Sequence, residues 1–177
     1  GPGFVQNRAG SATYSVLGAT RPTDAAGNVG TLNSASLTAN FDTQQVGVAL
    51  DLSIAAKNLV LNQSGMPIQT EYAGGLQNYF GADNVPVTCT GTGCTTSWES
   101  GLFGFFGRTD ASAAGLVYEM KPVGTPAADL VQGNVAFTTG TPPPARPQPP
   151  QLVNIGYTFT DGVIATHTSN FDVSGTG

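Results

Sequence analysis

From residue 34 to residue 54 the chain alternates with period two. Ala35, Leu37, Ala39 and Phe41 fall on one face, and Ser34, Ser36, Thr38 and Asn40 on the other. After the turn DTQ, Val46, Val48, Leu50, Leu52 and Ile54 face one way, and Gly47, Ala49, Asp51 and Ser53 the other. Two such runs around a short turn predict an antiparallel hairpin with one buried face. SATYSVLG reads as an earlier strand, joined to the hairpin by the loop ATRPTDAAGNVGT, rich in Pro, Asp, Asn and Gly. Three further sets alternate in the same way: Leu116, Tyr118 and Met120; Val131, Gly133, Val135 and Phe137; and Val153, Ile155, Tyr157 and Phe159. GVIATHTSNF predicts one more strand after a turn at Asp161–Gly162.

No window holds an apolar i, i+3, i+4 pattern for three turns. At most a short helical turn is expected in AAKNLVLNQ or EYAGGLQNYF. About eight or more short strands with Gly/Pro turns predict an all-β sandwich or barrel. TPPPARPQPP, residues 141–150, carries six of the 12 prolines and cannot be a central strand. Polyproline II geometry and a semi-rigid spacer are expected there. The predicted organisation is an N-terminal arm over 1–7, its opening GPG being a remnant of cloning with the natural start missing. A barrel over 8–140, a Pro-rich linker over 141–150 and a tail of one or two strands over 151–177 follow.

Composition narrows the setting. Only 10% of the 177 residues are charged, so Ser, Thr, Asn and Gln carry the polarity. That suits an extracellular or cell-surface β-protein better than a cytosolic enzyme. The net charge is -5, and Arg8, Arg21, Lys57, Arg108, Lys121 and Arg146 are scattered. No basic stripe exists to neutralise phosphates, which argues against nucleic acid and an anionic membrane surface. No apolar stretch approaches the ~20 residues of a spanning helix, so no membrane-spanning segment is expected.

Cys89 and Cys94 enclose CTGTGC, whose glycines let the chain fold back to close a disulfide. Such a bridge implies an oxidising compartment, and a pair of reduced thiols is the alternative. Half of a zinc site lacks partners, since no second Cys pair exists and His167 is the only histidine.

The segment GLFGFFGRTDASAAGLVYEM, residues 101–120, sets rings among glycines. In a small barrel each strand alternates between inside and outside, and rings pointing inward need neighbours that leave room. Glycine leaves the most room and permits strong coiling. GLFGFFG therefore reads as a curved strand with Phe103 and Phe105 on one face and Phe106 on the other. The turn RTDASAAG then leads into LVYEM.

This segment resembles the G-x-F-x-G-x-x-A-x-x-x-G-x-x-Y hairpin of transferrin-binding-protein-B-like (TbpB-like) β-barrel domains. Gly101, Phe103, Phe105, Gly107 and Gly115 carry the resemblance. The stretch from GSATYSVLG to ALDLSI is similar to that family's opening meander. CTGTGC and GNVAF resemble features of barrels that follow FecR domains in proteobacterial envelope proteins. The resemblance spans roughly residues 8–138. Two departures stand out: the family's Gly-Pro is Gly107–Arg108 here, and nothing beyond residue 140 has a counterpart. The resemblance implies an eight-stranded antiparallel up-and-down barrel with a filled core. It also implies a periplasmic or cell-surface setting in the bacterial envelope, and recognition rather than catalysis.

Catalytic chemistry finds few candidates. A Ser-His-Asp site could use only His167, which shares a strand face with Val163 and Ala165, and no G-x-S-x-G elbow is present. Asp51 and Glu119 read as solvent-facing strand residues. DAAGN, residues 24–28, offers calcium-type oxygens without EF-hand spacing, so an Asx turn is expected and no metal. Asn62 heads a formal glycosylation sequon, NQS, silent in a bacterial setting. Region 57–100 is the most distinctive, reading as a central insertion with Tyr72, Tyr79, Phe80 and Trp98 around the cysteines. These aromatics either fill the barrel or form a binding loop for protein or glycan. The expected function is a non-enzymatic module that binds a protein partner, within a FecR-type sensing protein, with no cofactor. One alternative is a haem-like small-ligand carrier at the barrel mouth, with His167, Tyr72, Tyr79, Tyr118 and Met120 as possible axial ligands. The other is a carbohydrate-binding or carbohydrate-active domain.

Overall fold

A computed structural model describes residues 4–69, 78–124, 129–150, 152–155 and 169–172. After a short 3-10 helix at Phe4–Asn7, the strands are β1 (Ser11–Ala19), β2 (Thr23–Asp24), β3 (Thr31–Asn40), β4 (Gln45–Ile54) and β5 (Lys57–Pro67). Then come β6 (Tyr79–Thr90), β7 (Trp98–Gly107), β8 (Ala113–Pro122), β9 (Val131–Thr138), β10 (Leu152–Ile155) and β11 (Ser169–Asp172). Strands β1 and β3–β9 pair antiparallel in sequence order, and β1 pairs with β9 to close the ring. The fold is thus an all-β, eight-stranded antiparallel barrel, with β2 as one extra strand on β9. Strands β10 and β11 form a separate two-stranded sheet in a second unit, 147–177. The expected strand positions Tyr157 and Phe159, and His167 with its neighbours, lie outside the described residues.

The predicted hairpin is β3–β4, paired from Thr31↔Ser53 to Asn40↔Gln45. Its inward positions Leu37, Ala39, Val46, Val48, Leu50, Leu52 and Ile54 are all buried. The interior is filled with rings: Tyr14, Phe41, Phe80, Tyr118 and Phe137 are fully buried. Phe106 is the hub, its centroid 5.9 Å from Tyr14, 5.6 Å from Phe41 and 5.5 Å from Phe80, all tilted. Tilted pairs at this spacing suit the ring quadrupoles and add to the burial of apolar area.

Three expectations are corrected. AAKNLVLNQ contains no helical turn, because Ala55 and Ala56 form the two-residue turn between β4 and β5 with φ of 47° and 59°. Region 57–100 is not an insertion: its described residues supply β5, β6 and the start of β7, three staves of the wall. The Pro-rich run is not a spacer throughout. Residues 143–146 form a strap against the N-terminal arm, where Ala9 N–H donates to the Pro144 carbonyl (2.9 Å) and Arg146 N–H to that of Asn7 (2.7 Å). The Arg146 guanidinium adds bonds to the Phe41 carbonyl at 2.9 Å and the Arg8 carbonyl at 3.2 Å.

Candidate functional site

β7 alternates Leu102, Gly104 and Phe106 inward against Phe103 and Phe105 outward. Leu102 and Phe106 are buried, whereas Phe103 and Phe105 are 42% and 47% exposed. The inner assignment follows from clearance. Phe80 of β6 pairs with Gly104, and its ring occupies the space a Gly104 Cβ would need. On the outside, Phe105 pairs with Gly115 of β8, and the end of its ring covers the space a Gly115 Cβ would need.

The outward rings join into a strip across three strands. Tyr79 of β6 is the cross-strand partner of Phe105 and stacks on Phe103, with centroids 5.9 Å apart and planes 24° apart. Phe103 faces Val117 of β8, itself 42% exposed. Beyond Phe105 an apolar groove of about 460 Å³ runs over Gly115, Val117 and Ala136 to Gly18 and Ala19 of β1. The outer face of β3 is different, with Ser36 and Thr38 exposed. Large apolar groups are exposed elsewhere too, Leu17, Val29, Val60 and Val123 among them, but Phe103, Phe105 and Val117 gather beside this groove, and such a patch marks an interaction surface.

The other sequence-derived residues fall elsewhere. Phe80 is fully buried and Trp98 is 4% exposed, so neither belongs to a binding loop, while Tyr72 lies outside the described residues. Lys57 Nζ stands 5.8 Å from the centroid of the Trp98 ring. Cys89 and Cys94 form a disulfide, Cα atoms 5.6 Å apart, in the β6–β7 connection. Gly107 is the last residue of β7, and Gly101 lies within it, opposite Asp83 and Asn84 of β6. Tyr118 and Met120 are fully buried in the core.

The carboxylates with shifted titration are all pushed below the usual range by hydrogen bonds. For Asp24 the Asn28 side chain is the main cause, with the Ala26 and Asn28 backbone N–H groups completing the expected Asx turn. For Asp51 the amides of Asn33 and Asn58 are responsible, each 2.9 Å away. For Asp110 the partner is Ser112. Carboxylates held ionised in this way are turn and strand fasteners rather than proton donors near neutrality.

Compared with known proteins, the chain matches no family model, no curated protein and no solved structure. None of the helices among the described residues is long and apolar enough to cross a membrane.

Proposed function

We propose that this barrel is a non-enzymatic binding module of a bacterial envelope or surface protein, and that it engages a protein partner through its outer aromatic strip. The observation that carries the reading is the exposure of Phe103, Phe105 and Val117 as one patch beside an apolar groove. Aromatic anchors in the middle of a neutral patch are what protein interfaces use for affinity. The filled core supports binding at the outer wall rather than inside. The Cys89–Cys94 disulfide supports an oxidising compartment.

The finer reading assigns the barrel to the TbpB-like domains, in a FecR-type sensing protein. It rests on the Gly-Phe hairpin, residues 101–120, whose glycines stand where rings need clearance. A haem carrier or a glycan-binding domain gains no support from the side chains in view, since Tyr118, Met120 and Trp98 are all buried.

The test is competitive crosslinking. The protein carrying a photoreactive phenylalanine analogue at position 103 is irradiated in envelope extract. One discrete protein adduct is expected. Excess unlabelled wild type should suppress it, and excess Phe105→Ser competitor should do so at least tenfold less well. Equal suppression by both competitors, or no adduct, overturns the proposal.

A further inference from the structure

The barrel wall has a gap in its hydrogen-bonded ladder. β5 and β6 pair from Asn58↔Thr90 to Leu61↔Val87, and again at the single bridge Gln69↔Tyr79. The steps from 61 to 69 and from 87 to 79 are equal, so the bridge keeps the register of the ladder. Between them, residues 62–68 and 80–86, all described, make no pairing across the seam.

Two β-bulges explain the gap. On β5, Ser64 and Gly65 stand opposite the single residue Gly47 of β4, with Gly65 at φ 70°. On β6, Asp83 and Asn84 stand opposite the single residue Gly101 of β7, with Asn84 at φ 56°. Continued in register, the seam would set Gly65 against Asp83 and Ser64 against Asn84. Each bulge twists its strand and interrupts pairing. Two bulges face to face therefore leave the facing edges without ladder pairing while both ends stay pinned.

The unpaired edges carry backbone donors and acceptors with no ladder partner, the condition that invites strand addition. Beneath them Met66, Phe80 and Val85 keep the core sealed, each at most 2% exposed. Beside them, on the outer face, Asp83, Glu99, Glu119 and Lys121 line a polar cleft. Lys121 Nζ is 3.9 Å from Glu99, and among the described residues Asp83 and Glu119 have no ion-pair partner. The cleft is therefore net acidic, on a chain of net charge -5.

We infer that the β5–β6 seam is a binding site for an extended, basic peptide, which pairs by its backbone with the unpaired edge and sets Lys or Arg side chains against Asp83 and Glu119. Seven residues of strand span about 23 Å, so the occupant is a segment of roughly six to eight residues. Charge complementarity selects the partner, and the backbone edge supplies the bonds. This site is separate from the aromatic strip and goes beyond the function proposed for it.

Two experiments decide the matter. In the free protein, amide hydrogen exchange at Gly81, whose N–H points to the seam as that of Tyr79 does, and at the bulge residues Ser64, Gly65, Asp83 and Asn84, which pair with neither neighbouring strand, should be at least a hundredfold faster than at the paired residues Leu59–Leu61 and Val87–Cys89. Equal protection would mean that the seam is closed, and the idea fails. Selection from a random nonapeptide display library should enrich sequences alternating Lys or Arg with β-branched residues. A synthetic copy of the strongest should slow exchange at the seam amides. The double variant Asp83→Lys/Glu119→Lys should weaken it tenfold or more, with Ser36→Lys on β3 causing no change. Enriched peptides that are acidic, that protect amides outside the seam, or that bind the double variant equally well overturn the inference, as does a selection without enrichment. A peptide that protects the β7–β8 strip instead would support the aromatic surface while removing this one.

Discussion

The ring of Phe105 lies over Gly115, its partner on the next strand, so closely that a Cβ on that glycine would stand 2.7 Å from Phe105 Cζ. The same relation recurs inside the barrel between Phe80 and Gly104 and between Tyr118 and Gly133. Three successive strand pairs thus each set an aromatic against a glycine, alternating inside, outside, inside. The mutational cost should follow the side. Gly104→Ala drives a methyl into the fully buried Phe80 ring, and about 2–3 kcal/mol of destabilisation is expected. Gly115→Ala meets only the end of an exposed side chain that can swing outward, so it should cost under about 1 kcal/mol. Urea denaturation of both variants checks this, and equal losses would refute the clearance argument.

Ala55 and Ala56 hold the left-handed region at both central positions of the β4–β5 turn, where Asn-Gly is the favoured pair. Each alanine there gives up roughly 1–2 kcal/mol relative to a right-handed conformation. Both are exposed, so replacing them disturbs no core contact. The double change Ala55→Asn/Ala56→Gly should raise stability by about 1–2 kcal/mol, read as an upward shift of Tm by several degrees. An unchanged or lower Tm would mean that this turn is not under such strain.

That turn also explains why part of the barrel was hidden in the sequence. The β3–β4 hairpin was legible because its alternation runs almost unbroken and every second residue is apolar. β5 is preceded by the turn residues Ala55 and Ala56, which look helical in sequence, and its bulge at Ser64 and Gly65 shifts the inward parity from Leu59 and Leu61 to Met66. β6 does the same at Asp83 and Asn84, passing from Phe80 to Val85 and Val87. One extra residue reverses which face is buried, so a period-two scan sees only noise. The seam between β5 and β6 was invisible for this very reason. On β7 the alternation placed Phe103 and Phe105 together. Which face was inside depended on Phe80 filling the space above Gly104, a contact between strands that no single segment encodes.

The Cys89–Cys94 bridge closes a loop whose ends are five residues apart at the tip of the β6–β7 hairpin. A loop so short limits the unfolded chain modestly, by about 2 kcal/mol in the chain-entropy picture. The double change Cys89→Ser/Cys94→Ser should therefore lower stability by about that amount and leave the barrel folded. Near-ultraviolet circular dichroism reporting on the buried rings should be unchanged at 25 °C. Collapse of that signal would show that the bridge is needed to assemble the wall.

Tyr14 and Tyr118 are both buried but differ in their hydroxyls. The Tyr14 hydroxyl donates to the Ala111 carbonyl at 2.6 Å, tying β1 to the β7–β8 turn, whereas the Tyr118 hydroxyl has no partner among the described residues. Burial raises both above the usual tyrosine range, Tyr118 to about 12, with nearby Asp110 adding to the effect on Tyr14. A raised folded pKa means that the native state holds its proton after the unfolded chain has released one. The contribution is thus fully present below pH ~10 and is lost as pH rises toward about 12. For Tyr118 that loss is on the order of 2–3 kcal/mol. Tyr118→Phe should be neutral or slightly stabilising at pH 7, since it removes an unpartnered buried hydroxyl. The same variant should lose less stability than wild type between pH 9 and pH 11. Tyr14→Phe should cost about 1–2 kcal/mol at pH 7, because it strands the Ala111 carbonyl. Urea midpoints for the three proteins at pH 7, 9 and 11 decide it, and parallel pH profiles for wild type and Tyr118→Phe would show that this hydroxyl reaches water.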